Sequence, residues 1–380
     1  MENEQLLELL AQVERNGGGV VLRVGEAPRA VVLSMEAYTN MASQGIDVVR
    51  LPEPASRPDA KQTVLVTGGA GYIGGHVVRE LLTAGYDVVV LDNLYTGRRE
   101  YVPTEAHFVE GDVRDINLLR DVFSQHKIDS VIHLAALLEV AESVEKPTEY
   151  FEVNLHGTTR LLEVCSEMGV RNIVFSSTAA VYGPQAVVPI PESAACEPTN
   201  PYGASKLLAE QVLQYFSRYT GMQVTILRFF NVAGQYTPWG VSDTHKHSHL
   251  VPIVLEVASG DRVLLTVNGS DYSTVDGTCI RDYVHVLDIA RAHVKALARQ
   301  NAELFKVYNV GTGKGVSVRE VVQAAAEVTG RMIPMEVGPR RPGDDATLVA
   351  NVRAIQADLG FVPEHSDIAA IIESAWQARQ

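Results

Sequence analysis

The sequence contains few cysteines and no long apolar run. Among its 380 residues are three cysteines, Cys165, Cys196 and Cys279, which are too few and too dispersed for a disulfide framework or a paired-cysteine metal site. No apolar run reaches about 18 residues, so no transmembrane helix is expected. The N-terminal Met-Glu-Asn-Glu lacks the basic and apolar regions of a signal peptide. The sequence therefore predicts a cytoplasmic protein.

Basic side chains are also in deficit. Asp and Glu number 46 against 32 Lys and Arg, which gives a formal net charge of −14. A chain this acidic is poorly suited to bind nucleic acid or an anionic membrane, so any anionic ligand must be held by local donors. The hydrophobic share of 46% is typical of a globular protein.

The first 60 residues have a pattern of their own. Apolar residues at helical spacing predict a helix over Leu6–Val13, which ends at the glycines Gly17–Gly19. Two β-rich runs follow, Val20–Val24 and Ala30–Leu33. A short helix that Ser34 can cap is predicted over Ser34–Met41, and Pro52, Pro54 and Pro58 mark an extended linker. The segments LLELLAQVERNGGGVVLRVGE and AVVLSMEAY faintly resemble the N-terminal part of Phd/YefM-type antitoxins, which dimerise and bind operator DNA. Here nine acidic against five basic residues (net −4) argue against DNA. We expect a small docking or dimerisation appendage.

From Lys61 onward, apolar strands alternate with helical stretches, which is typical of a parallel sheet covered by helices on both faces. The predicted strands are Thr63–Thr67, Val88–Asp92, His107–Asp112, Ser130–Ala136, Asn172–Thr178, Val224–Asn231 and Val307–Val310. We predict an α/β protein with a Rossmann-type doubly wound parallel sheet and a smaller C-terminal α/β lobe, after a small α+β N-terminal extension. The predicted boundaries are 1–60 for the extension and linker, 61–235 for the sheet domain, and 236–380 mainly for the lobe, some of whose segments return to the sheet domain.

Three glycines follow the first of these strands. Gly68, Gly71 and Gly74 form the G-x-x-G-x-x-G variant of the dinucleotide fingerprint, in which they allow a tight turn, close approach of a pyrophosphate, and close packing of the next helix. The N–H groups at that helix N-terminus can hold the phosphates. Asp92 ends the second strand, where a carboxylate accepts both ribose hydroxyls and repels a 2′-phosphate, and Asp112 is placed to meet the adenine amine. The sheet domain is therefore predicted to bind NAD rather than NADP.

A second cluster has the residue types of a proton-transfer site. Tyr202 and Lys206 are four residues apart, so they share one face of a helix. A lysine ammonium and the positive nicotinamide ring would stabilise a phenolate and so lower the pKa of the tyrosine. Thr178 ends the fifth strand, at the edge where open α/β sheets bind ligands, and its hydroxyl can relay a proton between substrate and Tyr202.

The motifs TGGAGYIG, LDN, EGDVRD, VIHLAA, FSSTAAVYG, PYGASK and LRFFN occur in the order found in the extended short-chain dehydrogenase/reductase superfamily. With LLEVAESVEKPTEYFEVN, DGTCIRDYVHV and YNVGTG, residues 62–376 most closely resemble the UDP-glucose 4-epimerases. The resemblance implies reversible 4-epimerisation of UDP-glucose and UDP-galactose through a transient 4-keto sugar and enzyme-bound NADH, in a homodimer.

The same resemblance assigns roles to individual residues. Thr178, Tyr202 and Lys206 match the hydroxyl relay, the base and its supporting lysine. The further cofactor positions are Tyr72, Ile73, Asn93, Val113, Leu134, Ala135, Ala136, Asn154 and Phe230. The UDP-sugar positions are Asn231, His249, Leu250, Thr266, Val267, Asn268, Arg281, Arg341 and Asp344, where the two arginines suit a diphosphate.

Several alternatives stay open. Leu138 stands where some epimerases carry lysine, so cofactor retention can differ there. Leu348 occupies a position whose bulk is thought to gate N-acetylated sugars, and another UDP-sugar (UDP-GlcNAc, or UDP-arabinose/UDP-xylose) stays open as the substrate. A catalytically silent NAD sensor is a further alternative. Related dehydratases carry a carboxylate after the strand-five threonine, where this chain has Ala179-Ala180. The stretch His245–His249 has no ligand partner at metal spacing, so no metal is expected.

Overall fold

The computed structural model describes residues 20–24, 27–31, 48–49, 61–243, 249–299, 303–341 and 344–380. The chain divides into two compact units, Met1–Ala60 and Lys61–Gln380. In the first unit, three strands pair antiparallel in the order β2-β1-β3: β1 (Val20–Val24), β2 (Ala27–Val31) and β3 (Val48–Val49).

The first hairpin differs from its prediction, because β2 begins at Ala27 and pairs it with Val24. Two residues therefore connect the strands, which is the shortest common hairpin loop. The predicted helices at Leu6–Val13 and Ser34–Met41, the glycines 17–19 and the proline linker lie outside the described residues. The resemblance to antitoxins accordingly stays a prediction.

The second unit alternates strands with helices. Its strands are β4 (Thr63–Thr67), β5 (Asp87–Asp92), β6 (His107–Glu110), β7 (Ser130–His133), β8 (Asn172–Thr178), β9 (Gln223–Phe229), β10 (Asn231–Ala233), β11 (Leu265–Asn268), β12 (Ile280–Arg281), β13 (Tyr283–His285), β14 (Phe305–Val310), β15 (Val316–Ser317), β16 (Met335–Gly338) and β17 (Thr347–Leu348). Its α-helices are α1 (Tyr72–Thr83), α2 (Ile116–His126), α3 (Val140–Glu145), α4 (Pro147–Tyr150), α5 (Gly157–Glu167), α6 (Pro201–Thr220), α7 (Leu250–Ser259), α8 (Val286–Leu297), α9 (Val318–Thr329), α10 (Arg353–Leu359) and α11 (Ile368–Gln377). Short 3₁₀ turns occur at Arg99–Tyr101, Ala179–Val181 and Thr237–Trp239, and a π-helical turn at Phe151–His156. In the described part of the chain, no helix has both the length and the apolarity needed to cross a membrane.

Seven parallel strands form the main sheet, in the order β14-β9-β8-β7-β4-β5-β6. Counted in chain order, this is 3-2-1-4-5-6-7, the doubly wound Rossmann arrangement. The winding reverses between β4 and β7, so the loops after these two strands diverge and leave a crevice. The predicted fold class is confirmed.

Helices cover both faces of this sheet because its strands are apolar on both sides. In β4, Val64 and Val66 belong to one core cluster, whereas Leu65 between them belongs to the cluster on the other face. The first cluster includes apolar residues of α1 and α8, and the second includes those of α2, α5 and α6. The two cores hold the strand ends, and with them the crevice, in a fixed position.

Smaller sheets form beside the main one. They are the parallel pairs β10-β13 and β11-β16 and the three-stranded sheet β15-β12-β17, and a third core cluster packs α7, α9 and α11 together. β14 returns from this region to the main sheet, beside β9. Residues 61–380 form one compact unit, so the division at residues 235/236 stays a prediction.

Candidate active site

A cleft of about 1380 Å³ lies at the carboxyl ends of the main-sheet strands. It includes the crevice between the loops after β4 and β7, where doubly wound sheets bind ligands. Of the predicted cofactor and substrate residues, all except Asn154 line this cleft: Gly68, Gly71, Tyr72, Ile73, Gly74, Asp92, Asn93, Asp112, Val113, Leu134, Ala135, Ala136, Thr178, Tyr202, Lys206, Phe230, Asn231, His249, Leu250, Thr266, Val267, Asn268, Arg281, Arg341 and Asp344.

The glycine turn between β4 and α1 leaves room for a ligand close to the backbone. Gly68 has φ +73°, and a Cβ there would lie 2.6 Å from the backbone nitrogen of Ala135. A Cβ on Gly74 would lie 2.1 Å from the Gly68 carbonyl oxygen. Gly71 caps α1 without a side-chain hydrogen bond, so the first N–H groups of the helix can bind a phosphate. The turn therefore fits the pyrophosphate of a dinucleotide.

Asp92 ends β5 beside this turn and is 7% exposed. Its carboxylate accepts hydrogen bonds from the N–H groups of Ala70 (2.9 Å) and Leu94 (2.8 Å). Burial raises the pKa of Asp92, although these two hydrogen bonds oppose the rise. One N–H thus binds each oxygen, and the remaining lone pairs can accept the hydroxyls of a ribose.

Asp112 follows β6 and is already surrounded by donors. The side chain of Arg114 donates to both carboxylate oxygens (2.8 and 2.7 Å), the Arg114 N–H donates to one of them (2.9 Å), and the Asn93 amide to the other (3.0 Å). These donors, chiefly Arg114, lower the pKa of Asp112 to about 2. Four hydrogen bonds saturate a carboxylate, so an adenine amine can bind Asp112 only in place of one of these donors.

The start of α6 brings Tyr202 to the end of β8. Asn200 caps the helix by accepting from the Gly203 N–H (2.9 Å), and Pro201 occupies its first position. A Cβ on Gly203 would lie 2.5 Å from the Ala180 carbonyl oxygen, so glycine there permits close packing. Thr178 and Tyr202 both line the cleft, and the Thr178 hydroxyl acts to lower the pKa of the Tyr202 phenol.

Burial is the largest influence on both ionisable members of the cluster. It raises the pKa of the Tyr202 phenol to about 12, while the hydrogen bond with Thr178 opposes the rise and the charge of Glu139 adds to it. It lowers the pKa of Lys206 to about 7, an effect that the charge of Glu210 opposes. The ammonium of Lys206 lies 4.1 Å from the centre of the Phe175 ring. The chain's own groups therefore do not produce the expected lowering of the Tyr202 pKa.

Two arginines and a histidine line the other side of the cleft. Arg281 donates to the Asp345 carbonyl oxygen (2.8 Å) and pairs with the Asp344 carboxylate (3.4 Å). The Arg281 side chain is 14% exposed, whereas Arg341 is exposed. His249 bonds Asp243 (3.1 Å). Burial would lower the pKa of His249, but that hydrogen bond and the charges of Asp243 and Glu139 raise it above its usual value. The two guanidinium groups suit an anionic ligand.

Asn154 differs from the other predicted positions, because its amide supports the cleft from behind. It accepts from the Leu137 N–H (2.8 Å) and donates to the Leu137 carbonyl (2.9 Å) and the Ser205 hydroxyl (2.9 Å). It thereby fixes the loop after β7 against α6. In the described ranges, no group of three or more His, Cys, Asp or Glu could hold a metal ion, and residues 244–248 lie outside those ranges.

The sequence reasoning missed Glu139. This carboxylate lines the cleft, and its charge acts on both Tyr202 and His249. A signal was available, because Glu139 lies in the loop after a parallel strand, the same kind of position that pointed to Asp92 and Thr178.

Comparison with known proteins agrees with this geometry. The NAD dependent epimerase/dehydratase family matches residues 64–311. The UDP-glucose 4-epimerase of Lacticaseibacillus casei is 48% identical over 316 residues, which cover 83% of this chain and 96% of that protein. The Brucella ovis UDP-glucose 4-epimerase, solved with NAD, superposes with a TM-score of 0.80 at 41% identity and covers 83% of this chain and 98% of its own. The Bifidobacterium longum enzyme, solved with NAD⁺ and UDP, has a TM-score of 0.78 at 40% identity, with coverages of 84% and 99%. The chain belongs to the NAD dependent epimerase/dehydratase family.

Proposed function

We propose that this protein is a NAD-dependent UDP-sugar 4-epimerase that interconverts UDP-glucose and UDP-galactose. The observation that carries the proposal is the presence of Tyr202, Thr178 and Lys206 in the same cleft as the glycine turn and Asp92. The solved relatives with NAD and with UDP, each covered over nearly its whole length, support both ligands.

The glycine turn and Asp92 would hold NAD. The N–H groups at the start of α1 would bind its pyrophosphate, and the Asp92 carboxylate would accept its adenosine ribose hydroxyls. When bound, NAD supplies a reversible hydride acceptor and a positive nicotinamide ring. That charge would oppose the effect of burial and Glu139 on Tyr202.

Tyr202 would move the proton in each direction. Its phenolate takes the proton of the sugar 4-hydroxyl, directly or through the Thr178 hydroxyl, while the C4 hydride goes to the cofactor. The products of this half-reaction are a 4-keto sugar and a neutral phenol. When hydride returns to the opposite face of C4, the phenol gives the proton back, so no net oxidation occurs.

Arg281 and Arg341 would bind the diphosphate, with the strand Leu265–Asn268 beside the uracil. With the diphosphate held in this way, the 4-keto sugar can rotate to present its other face while UDP stays bound. The 3₁₀ turn that follows Thr178 begins with Ala179 and Ala180. It therefore lacks the carboxylate that a dehydratase needs to remove the C5 proton and the 6-hydroxyl.

We further propose a homodimer that forms through one surface. Leu208, Tyr215 and Tyr219 on α6 and Val144 on α3 are large apolar side chains with 39% to 73% exposure, and the two tyrosine rings stack at 6.2 Å. Exposed apolar clusters of this kind mark association sites. We also propose a cytoplasmic location, where the thiols of Cys165, Cys196 and Cys279, which are free in the structure, would stay reduced.

The decisive test is product analysis by chromatography. Purified protein is incubated separately with UDP-galactose, UDP-GlcNAc and UDP-arabinose. We expect conversion of UDP-galactose to UDP-glucose without added NAD and without net change in absorbance at the NADH wavelength. Conversion of only UDP-GlcNAc or only UDP-arabinose would move the assignment to another UDP-sugar, and no conversion of any would favour the sensor.

Tyr202→Phe removes the proton-transfer group and leaves the ring. We expect kcat to fall by about 10²–10⁴, the usual range for one acid–base group, with little change in UDP-sugar affinity. Steady-state kinetics and calorimetric UDP binding measure the two effects. Tyr215→Phe, an exposed tyrosine on the same helix, is the control. Equal turnover in the two variants would remove Tyr202 from the mechanism.

Asp92→Asn removes the ribose-binding charge. We expect NAD affinity to fall by roughly 10- to 100-fold, because a hydrogen bond to a charged acceptor contributes about 1.5–3 kcal/mol, and the preference for NAD over NADP should shrink. The measurements are NAD retained after purification and titration of both cofactors. Asp87→Asn, at the exposed other end of β5, serves as the control. Full NAD retention in Asp92→Asn would contradict the role of Asp92.

Tyr215→Lys combined with Tyr219→Lys places charge in the proposed dimer surface. Multi-angle light scattering should report a dimer for the wild type and a monomer for this variant. Val263→Lys, at a residue 86% exposed outside that surface, should leave the dimer intact. If the double variant is still dimeric, the dimer forms elsewhere.

A further inference from the structure

A buried ion pair lies one helical turn beyond Lys206. Arg228 on β9 donates to both oxygens of Glu210 on α6, at 2.6 and 3.1 Å, and the two side chains are only 7% and 5% exposed. The Ser177 hydroxyl donates to the same carboxylate. A pair this deeply buried is weak support for stability, because desolvation offsets most of the attraction. Neither residue lines the cleft or takes part in the chemistry described above.

The position of the pair connects it to the proton-transfer cluster. Tyr202, Lys206 and Glu210 recur every four residues, so they lie along one face of α6. Glu210 also bonds Ser177, which directly precedes Thr178. The Glu210 carboxylate thus links α6, which carries Tyr202 and Lys206, to β8, which ends at Thr178.

Of the groups that face Lys206 from β8, β7 and α6, Glu210 is the one that supplies a negative charge. On β8 the Phe175 ring meets the ammonium, and on β7 His133 faces it. Burial, with the charge of Lys206, lowers the pKa of His133 to about 3, so this imidazole is neutral at working pH. On α6, burial holds the pKa of the Tyr202 phenol above its usual value, and the charge of Glu210 raises the pKa of Lys206 against the effect of burial.

We propose that the Glu210–Arg228 pair is a positioning element that keeps Lys206 protonated: the Glu210 carboxylate stabilises the buried ammonium, and Arg228 and Ser177 hold that carboxylate in place. The importance of this charge to turnover rests on the proposed function. The charge state of Lys206 itself can be measured without turnover.

The test is a direct titration of Lys206. The full-length chain has eight lysines, so ¹³Cε-lysine labelling gives few signals, and Lys206→Arg identifies the one that belongs to Lys206. In Glu210→Gln we expect its transition to move down by roughly one pH unit, because a unit charge one helical turn away in a buried site has an effect of this order. Glu210→Asp should stay near the wild type, and Glu163→Gln, an exposed carboxylate, should not shift.

The double variant Glu210→Gln with Arg228→Met separates charge from packing. It leaves no unpaired buried charge, so it should fold even if Glu210→Gln alone does not. We expect the transition to stay below the wild-type value there, although by less than in Glu210→Gln, because the loss of the Arg228 charge offsets part of the loss of the carboxylate. If Lys206 titrates at the wild-type pH in the double variant, the proposal is wrong.

The pH profile of kcat gives a second readout. In Glu210→Gln, Lys206 would lose its proton at a lower pH. The basic limb of the kcat profile with UDP-galactose should therefore shift to lower pH by the same amount as the Lys206 transition. If the wild type does not turn over UDP-galactose, the proposed function fails, while the titration still decides the role of Glu210.

Discussion

The placement of Tyr202 and Thr178 in one cleft is the constraint on which the proposed chemistry depends. Desolvation in this cleft raises the pKa of the Tyr202 phenol to about 12. The chain does not overcome this effect by itself, because Lys206 is subject to the same burial and Glu139 adds negative charge. On the proposed function, the positive charge of a bound cofactor would oppose this effect, so cofactor binding and proton transfer would be linked electrostatically.

The same reasoning explains how an acidic chain can bind two anionic ligands. With a net charge of −14, the overall field is unfavourable to phosphates. The proposed donors are therefore local: N–H groups at the start of α1 on one side, and Arg281 and Arg341 on the other. In this proposal the Asp92 carboxylate, which accepts from two backbone N–H groups beside the glycine turn, would select the ribose.

Local patterns in the sequence were sufficient for most of the fold. Continuous apolar runs predicted the seven main strands, and the glycine spacing predicted the turn before α1. Strand ends were overestimated, since β7 stops at His133 and β6 at Glu110; the residues beyond them are loops, which is why they line the cleft. The roles of Asn154 and Glu210 could not be predicted, because their partners are far away in sequence and only the sheet order brings them together.

The register of the smaller sheet suggests how anchoring and sugar selection are joined. Arg281 on β12 pairs directly with Leu348 on β17, so the expected diphosphate anchor and the expected limit on sugar size are neighbours across two strands. Asp282 fixes both, because its buried carboxylate accepts from the N–H groups of Thr312 (2.7 Å), Gly313 (2.9 Å) and Ala350 (3.2 Å). The distance between Arg281 and Leu348 is then set by backbone hydrogen bonds. A sugar that rotates about its diphosphate would move within a space of fixed size. A different side chain at position 348 would therefore change which sugars fit without displacing Arg281.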